Sequence, residues 1–119
     1  MEKEISNEFK KYKWDFEYRI NKITPNTYNV SFPNCNIEFF INEMYNSVEC
    51  FIIYKNKKYH LISALRFNKL KTGYLYHDHS GVEIIEYIKQ YVFVLNNELL
   101  EYITNDFSWC QRCDKSLRL

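Results

Sequence analysis

The sequence predicts an α+β protein: an antiparallel meander of four to five strands with a short N-terminal helix and a long C-terminal helix packed on the sheet. Residues 14–21 alternate strictly between apolar and polar side chains, which is typical of a half-buried antiparallel strand. Further apolar runs follow, and turn residues separate them. Beyond residue 83 the apolar side chains recur at spacings of three and four, the period of an amphipathic helix.

The length and composition indicate one folded domain. The 119 residues fit a single domain, 1–119, and the 46% hydrophobic content is that of a globular chain. Lysine and arginine total 16 against 15 acidic residues, a balance that argues against nucleic acid as a partner. No apolar run approaches the roughly 18 residues that span a bilayer. No apolar signal region follows Met1, so we expect a cytoplasmic protein without a membrane partner.

The first predicted elements are a helix and a strand. Ile5, Phe9 and Tyr12 recur at spacings of four and three, which predicts an amphipathic helix over residues 2–13. The alternating stretch then forms the first strand, about residues 14–23, which ends at a Pro-Asn turn. One face of that strand belongs to the core, and its polar face is free for a partner.

Three more strands are predicted, at residues 28–32, 37–41 and 48–54. In the last two, Phe40, Phe51 and Ile53 fall on the face opposite to their apolar neighbours. A strand that is apolar on both faces belongs in the middle of a sheet, with something covering each face. The N-terminal helix, the C-terminal helix or a partner molecule can supply that cover.

The segment 59–72 fits two structures, and the sequence leaves both open. Tyr59–Phe67 alternates as a fifth strand, whereas Ser63–Lys71 fits a short helix that Gly73 caps.

A long helix is predicted after this segment. Ser80 and Glu83 have the spacing of a capping box, which marks the start of a helix. The apolar stripe that follows begins at Ile85 and runs to about residue 107. Asn96-Asn97, near the middle of the stripe, is a candidate break.

Two histidines and two cysteines have the chemistry of a zinc site. His77, His79, Cys110 and Cys113 are a legitimate tetrahedral ligand set. The two pairs flank the predicted long helix, however, so its length separates them. We therefore expect loop imidazoles, thiols in a fraying C-terminal segment, and no metal or cofactor. A redox dithiol is also disfavoured, because the partial negative charge at a helix C-terminus opposes a thiolate.

Recognisable catalytic motifs are absent from the sequence. It contains no G-x-S-x-G, no H-E-x-x-H and no glycine-rich phosphate loop. His60 lies in an apolar run and is interpreted as a sheet or core histidine. The lysines of residues 55–58 are interpreted as a solvated hairpin tip rather than an RNA-binding surface. We therefore expect a binding protein and not an enzyme.

Three segments together resemble a known class of proteins. They are the strand Phe16–Ile20, the meander Asn26–Phe32 and the closing segment Asn105–Trp109, in which Asp-Phe-Ser-Trp is the most distinctive element. This arrangement resembles the small immunity proteins that bacteria encode beside polymorphic toxins. The resemblance implies a stoichiometric inhibitor that binds one cognate protein toxin. These families share no fixed binding residues, so the resemblance assigns none here. We expect a monomer or a homodimer.

Two surfaces are candidates for partner binding: the polar face of the first strand and the loop before the long helix. Tyrosine in that loop suits an interface, because it is frequent at binding hot spots. The candidate residues are Asp15, Glu17, Arg19, Tyr74, Tyr76, His77, Asp78 and His79. One alternative is a small zinc-dependent protein or enzyme that uses His77 and His79. The other is an anti-defence interaction protein of a phage or mobile element.

Overall fold

A computed structural model describes residues 1–76 and 81–116. This part of the chain forms one antiparallel sheet of five strands in the order β1-β2-β3-β4-β5, with five helices. Every strand pairs with its neighbour in sequence, so the sheet is a simple meander. The elements are α1 Glu2–Lys10, β1 Arg19–Thr24, β2 Thr27–Ser31, β3 Asn36–Asn42, β4 Ser47–Tyr54, β5 Lys57–His60, α2 Leu61–Phe67, α3 Ile84–Asn97, α4 Leu100–Thr104 and α5 Ser108–Ser116.

The described helices all pack on one face of the sheet. Each of them contributes side chains to the same buried cluster as the inward-facing strand residues. From α3, the Tyr91 hydroxyl donates to the Val48 carbonyl at 2.8 Å. From α5, the Trp109 ring lies 5.2 Å from the Tyr59 ring. Alternation along the strands therefore gives the sheet one face buried against helices and one face without a helix over it in the described residues.

Of the covers that the sequence leaves open, the described helices supply one for a single face of the sheet only. Phe40, Phe51 and Ile53 are half-buried and lie outside the helix-covered cluster. The N-terminal helix and the helices after residue 83 share the other face, where Phe9 of α1 lies 6.2 Å from Phe39.

The first strand is shorter than predicted, because alternation reports burial and not pairing. Residues 14–18 alternate in exposure as expected, yet the hydrogen-bonded strand begins at Arg19. Arg19 pairs with Ser31, the last residue of β2, so no strand lies beside the preceding residues. Their aromatic side chains pack instead on one another and on Phe32, which lies 4.8 Å from Phe16.

The predicted long C-terminal helix is wrong. The helix stops at Asn97, where both Glu98 and Leu99 donate their backbone N–H groups to the Val94 carbonyl. The Asn96 side chain donates away from the helix, to the Lys13 carbonyl at 3.0 Å. The apolar stripe continues only because α4 and α5 bury their own side chains in the same core.

The start of that helix also differs from the prediction. α3 begins at Ile84 with Glu83 at the cap position, so Glu83 is not the third helical residue that the predicted capping box requires. Ser80 itself lies outside the described residues.

The open choice at residues 59–72 is resolved as both a strand and a helix. β5 ends at His60, and α2 runs from Leu61 to Phe67. His60 caps this helix, because its Nδ1 accepts from the Ile62 N–H at 3.2 Å. The helix ends at Asn68, whose side chain donates to the Ala64 carbonyl at 2.7 Å, well before Gly73.

Candidate functional site

The side of the sheet that none of the described helices covers is one candidate surface, and we call it the open sheet face. The register of the four strand pairs fixes which side chains share it. They are Arg19, Asn21, Thr27, Asn29, Ser31, Asn36, Glu38, Phe40, Asn42, Ser47, Glu49, Phe51, Ile53, Lys58 and His60, of which Ser47 is buried.

The open sheet face has an apolar centre held among charged groups. Phe51 stands opposite His60 on the neighbouring strand, and their rings meet edge to face at 5.2 Å. Lys58 Nζ donates to Glu38 Oε2 at 2.8 Å and lies 5.0 Å from the centre of the Phe51 ring. A cation over an aromatic face is attracted by the ring quadrupole, so these contacts hold the side chains in place.

The predicted residues of the first strand divide between two positions. Asp15, Glu17 and Arg19 are all exposed, as expected. Arg19 belongs to the open sheet face through its pairing with Ser31. Asp15 and Glu17 precede the strand, and Asp15 lines a cavity of about 520 Å³ beside α4.

The predicted tyrosines lie against α3 in a second surface, which we call the helical patch. It surrounds a cavity of about 300 Å³ and consists of Tyr74, Tyr76, Glu86, Lys89, Gln90 and Phe93. Gln90 ties the loop to the helix. Its Oε1 accepts from the Tyr76 N–H at 2.7 Å, and its Nε2 donates to the Tyr74 carbonyl at 3.0 Å. The Tyr74 hydroxyl donates to the Glu98 carboxylate, and burial together with this bond raises the Tyr74 pKa.

The helical patch and the open sheet face lie on different sides of the molecule. α3 packs on the covered face of the sheet, and Phe93 is on the outer side of α3 with 46% of its surface exposed. The structure therefore separates Arg19 from Tyr74 and Tyr76. The remaining candidates, residues 77–79, lie outside the described residues.

The expectation that Cys110 and Cys113 lie in a fraying C-terminal segment is wrong, because both belong to the helix α5. Cys110 and Cys113 are buried in α5, and Cys110 lies near its start rather than at a helix C-terminus. Burial, with the neighbouring Asp114 carboxylate, raises the pKa of Cys110 to about 12. Burial likewise raises the pKa of Cys35 to about 12. These thiols are therefore protonated at neutral pH and poor nucleophiles.

The sequence-based argument against a zinc site depended on one long helix between the two pairs, and that helix does not form. The predicted helix is divided into α3, which ends at Asn97, α4, which ends at Thr104, and α5. In residues 1–76 and 81–116, no group of three or more His, Cys, Asp or Glu side chains is placed to hold a metal ion. His77 and His79 are not among these residues.

Sequence reasoning missed a polar cluster that joins the β4–β5 hairpin to α5. Asp114 accepts from Lys57 Nζ at 3.0 Å and from the Tyr59 hydroxyl at 3.0 Å. The Tyr54 ring stacks on Phe107 at 4.0 Å, beside a cavity of about 450 Å³. Burial and the bond to Asp114 raise the Tyr59 pKa. No local signal marks this cluster, because each of its contacts joins two residues that are more than 50 positions apart in the chain.

Comparison of the chain with protein-family models, with curated proteins and with solved structures gives no match. In the part of the chain that the structure describes, every helix is too short or too polar to cross a membrane.

Proposed function

We propose that this chain is a non-catalytic immunity protein that inhibits one cognate bacterial toxin by binding it stoichiometrically through the open sheet face. The observation that carries the proposal is the placement of Phe40, Phe51 and Ile53 on a sheet face that the described helices leave uncovered. Protein interfaces typically combine an apolar centre, often aromatic, with a polar rim. The open sheet face has this composition.

Mixed charge on the open sheet face favours a protein partner. Arg19 and Lys58 lie on the same surface as Glu38 and Glu49. A surface for a nucleic-acid backbone is expected to carry one sign of charge, because its affinity comes from neutralised phosphates. Groups of both signs instead select a partner with a complementary pattern and fix its orientation.

The strands make the open sheet face rigid before a partner arrives. Its side chains stand on backbones that are paired across five strands, so binding orders few groups. Inhibition then requires only that the bound protein covers the active site or substrate groove of the toxin. The encounter takes place, in this proposal, in the bacterial cytoplasm.

Co-expression with the product of the adjacent gene tests the proposal. Cells that express the neighbour alone are expected to stop growing, and co-expression of this chain is expected to restore growth. Calorimetry with the purified pair is expected to give a one-to-one complex of nanomolar affinity. A neighbour that neither harms cells nor binds this chain contradicts the proposal.

A further inference from the structure

The free edge of β1 is a third surface, which shares Arg19 with the open sheet face and no residue with the helical patch. β1 pairs with β2, and within residues 1–76 and 81–116 no strand pairs with its other edge. All of its residues except Ile20 are exposed. In an antiparallel edge strand, the backbone N–H and C=O groups of every second residue point away from the sheet, ready to pair with another chain.

A groove runs between this edge and α1, with a volume of about 760 Å³. An extended chain that paired with β1 would have one row of its side chains beside this helix, because strand side chains alternate between faces. The groove is lined by Glu2, Lys3, Ser6, Asn7 and Lys10 of α1 and by Tyr18, Arg19 and Ile20.

The groove carries excess positive charge. Lys3, Lys10 and Arg19 form no salt bridge with any described residue. Two of the three carboxylates of α1 form ion pairs outside the groove. Glu4 binds the N-terminal amine at 2.8 Å, and Glu8 binds Lys11 at 2.7 Å. The residues that line the groove thus include three cations and a single carboxylate, that of Glu2.

We propose that the β1 edge binds an extended acidic segment of a partner protein, which adds to the sheet as a further strand. The backbone groups of β1 supply the pairing, and Lys3, Lys10 and Arg19 select carboxylates on the added strand. The inference goes beyond the proposed function and does not depend on it, because Phe40, Phe51 and Ile53 lie on β3 and β4 and not at the β1 edge.

The sequence of β1 favours an acidic partner over a second copy of this chain. Arg19 and Lys22 are both exposed on the strand, so antiparallel pairing of two β1 edges would bring like charges together. A bulge between Lys22 and Thr24 ends the regular register, which limits regular pairing to residues 19–22. The added segment therefore pairs over about four residues.

Titration with synthetic peptides tests this inference on the whole protein. Three acetylated, amidated heptapeptides carry glutamate at every second position, with valine, threonine or tyrosine between. Matched peptides carry glutamine in place of glutamate. Amide NMR spectra and hydrogen exchange of the protein are recorded during the titration. The glutamate peptides are expected to slow amide exchange at alternate residues of β1 and to bind at least about 10-fold more tightly than the glutamine peptides.

Two charge-reversal variants with equal net charge separate the groove from general attraction. Lys3→Glu with Lys10→Glu changes the groove, whereas Lys71→Glu with Lys115→Glu changes exposed lysines elsewhere. The groove variant is expected to lose about 10-fold or more of the affinity, and the control is expected to retain it.

Three results would overturn the inference. The first is equal binding by the two double variants, and the second is the absence of binding or of β1 protection with all three glutamate peptides. The third is a dimer in sedimentation whose β1 amides are protected without peptide, which would assign the edge to self-association.

Discussion

Phe39 and Phe40 are neighbours on β3 with the same side chain, yet their surroundings differ completely. Phe39 is fully buried beneath α1 and α3, whereas Phe40 is half-buried on the open sheet face. The sheet therefore has apolar side chains on two faces but uses helices to cover one. The comparison separates two roles: the covered face holds the fold together, and the open face is available to a partner.

Truncation of Phe39 is expected to have the largest effect on stability. Phe39→Ala removes a buried ring and leaves a cavity, so the free energy of unfolding should fall by about 3–5 kcal/mol. Phe40→Ala, the matched control on the same strand, should cost about 1 kcal/mol or less because its ring is already partly in water. Urea denaturation measures both values. Equal losses for the two variants would show that the open face is part of the core.

Truncation of Phe51, on the open sheet face, is expected to weaken binding of the partner. Phe51→Ser should weaken the complex with the adjacent gene product by at least about 30-fold, the effect of losing a hot-spot side chain. Phe93→Ser in the helical patch is the control, since Phe93 is a phenylalanine that is exposed on another surface. Calorimetry gives both affinities. A larger loss for Phe93→Ser would move the binding surface to the helices.

Side-chain hydrogen bonds hold the loop of the helical patch in place, whereas backbone pairing between strands holds the open sheet face. Gln90→Ala removes both hydrogen bonds to the loop and should cost about 1–2 kcal/mol, with faster hydrogen exchange at the Tyr76 amide. Gln111→Ala, at an exposed glutamine of α5, should change neither quantity. Unchanged exchange at Tyr76 in Gln90→Ala would mean that the loop is held by other contacts.

The smallest expected effect concerns the ion pair on the open sheet face. Lys58→Ala removes the contact with Glu38, but Lys58 is 51% exposed, so stability should fall by less than about 1 kcal/mol. The loss should shrink further in high salt, because exposed charges are screened. Denaturation at two salt concentrations measures it. A loss that exceeds that of Phe40→Ala would show that the pair, and not the aromatic centre, organises this face.

The sheet was largely predictable from the sequence. The predicted strands 28–32, 37–41 and 48–54 each agree with the structure to within one residue at either end. Local alternation and turn residues determine these boundaries, because each strand pairs with its neighbour in sequence. The same signal overextended the first strand, since aromatic packing at residues 14–18 produces alternation without a partner strand.

The helices and the candidate surfaces were less predictable, because they depend on tertiary packing. The candidate break at Asn96-Asn97 is confirmed as the end of α3, but the spacing could not show that α4 and α5 turn back onto the same core. The separation of Arg19 from Tyr74 likewise depends on which face α3 covers. The contacts of Asp114 with Lys57 and Tyr59 join distant parts of the chain, so no local pattern predicts them.

Cross-saturation NMR on the complex with the adjacent gene product tests the central claim most directly. Protons of the unlabelled partner are saturated, and intensity losses are measured at side chains of this chain. The account predicts losses at Phe40, Phe51 and Ile53 of the open sheet face and none at Phe93. Losses confined to Phe93 and Tyr74 in the helical patch would contradict it.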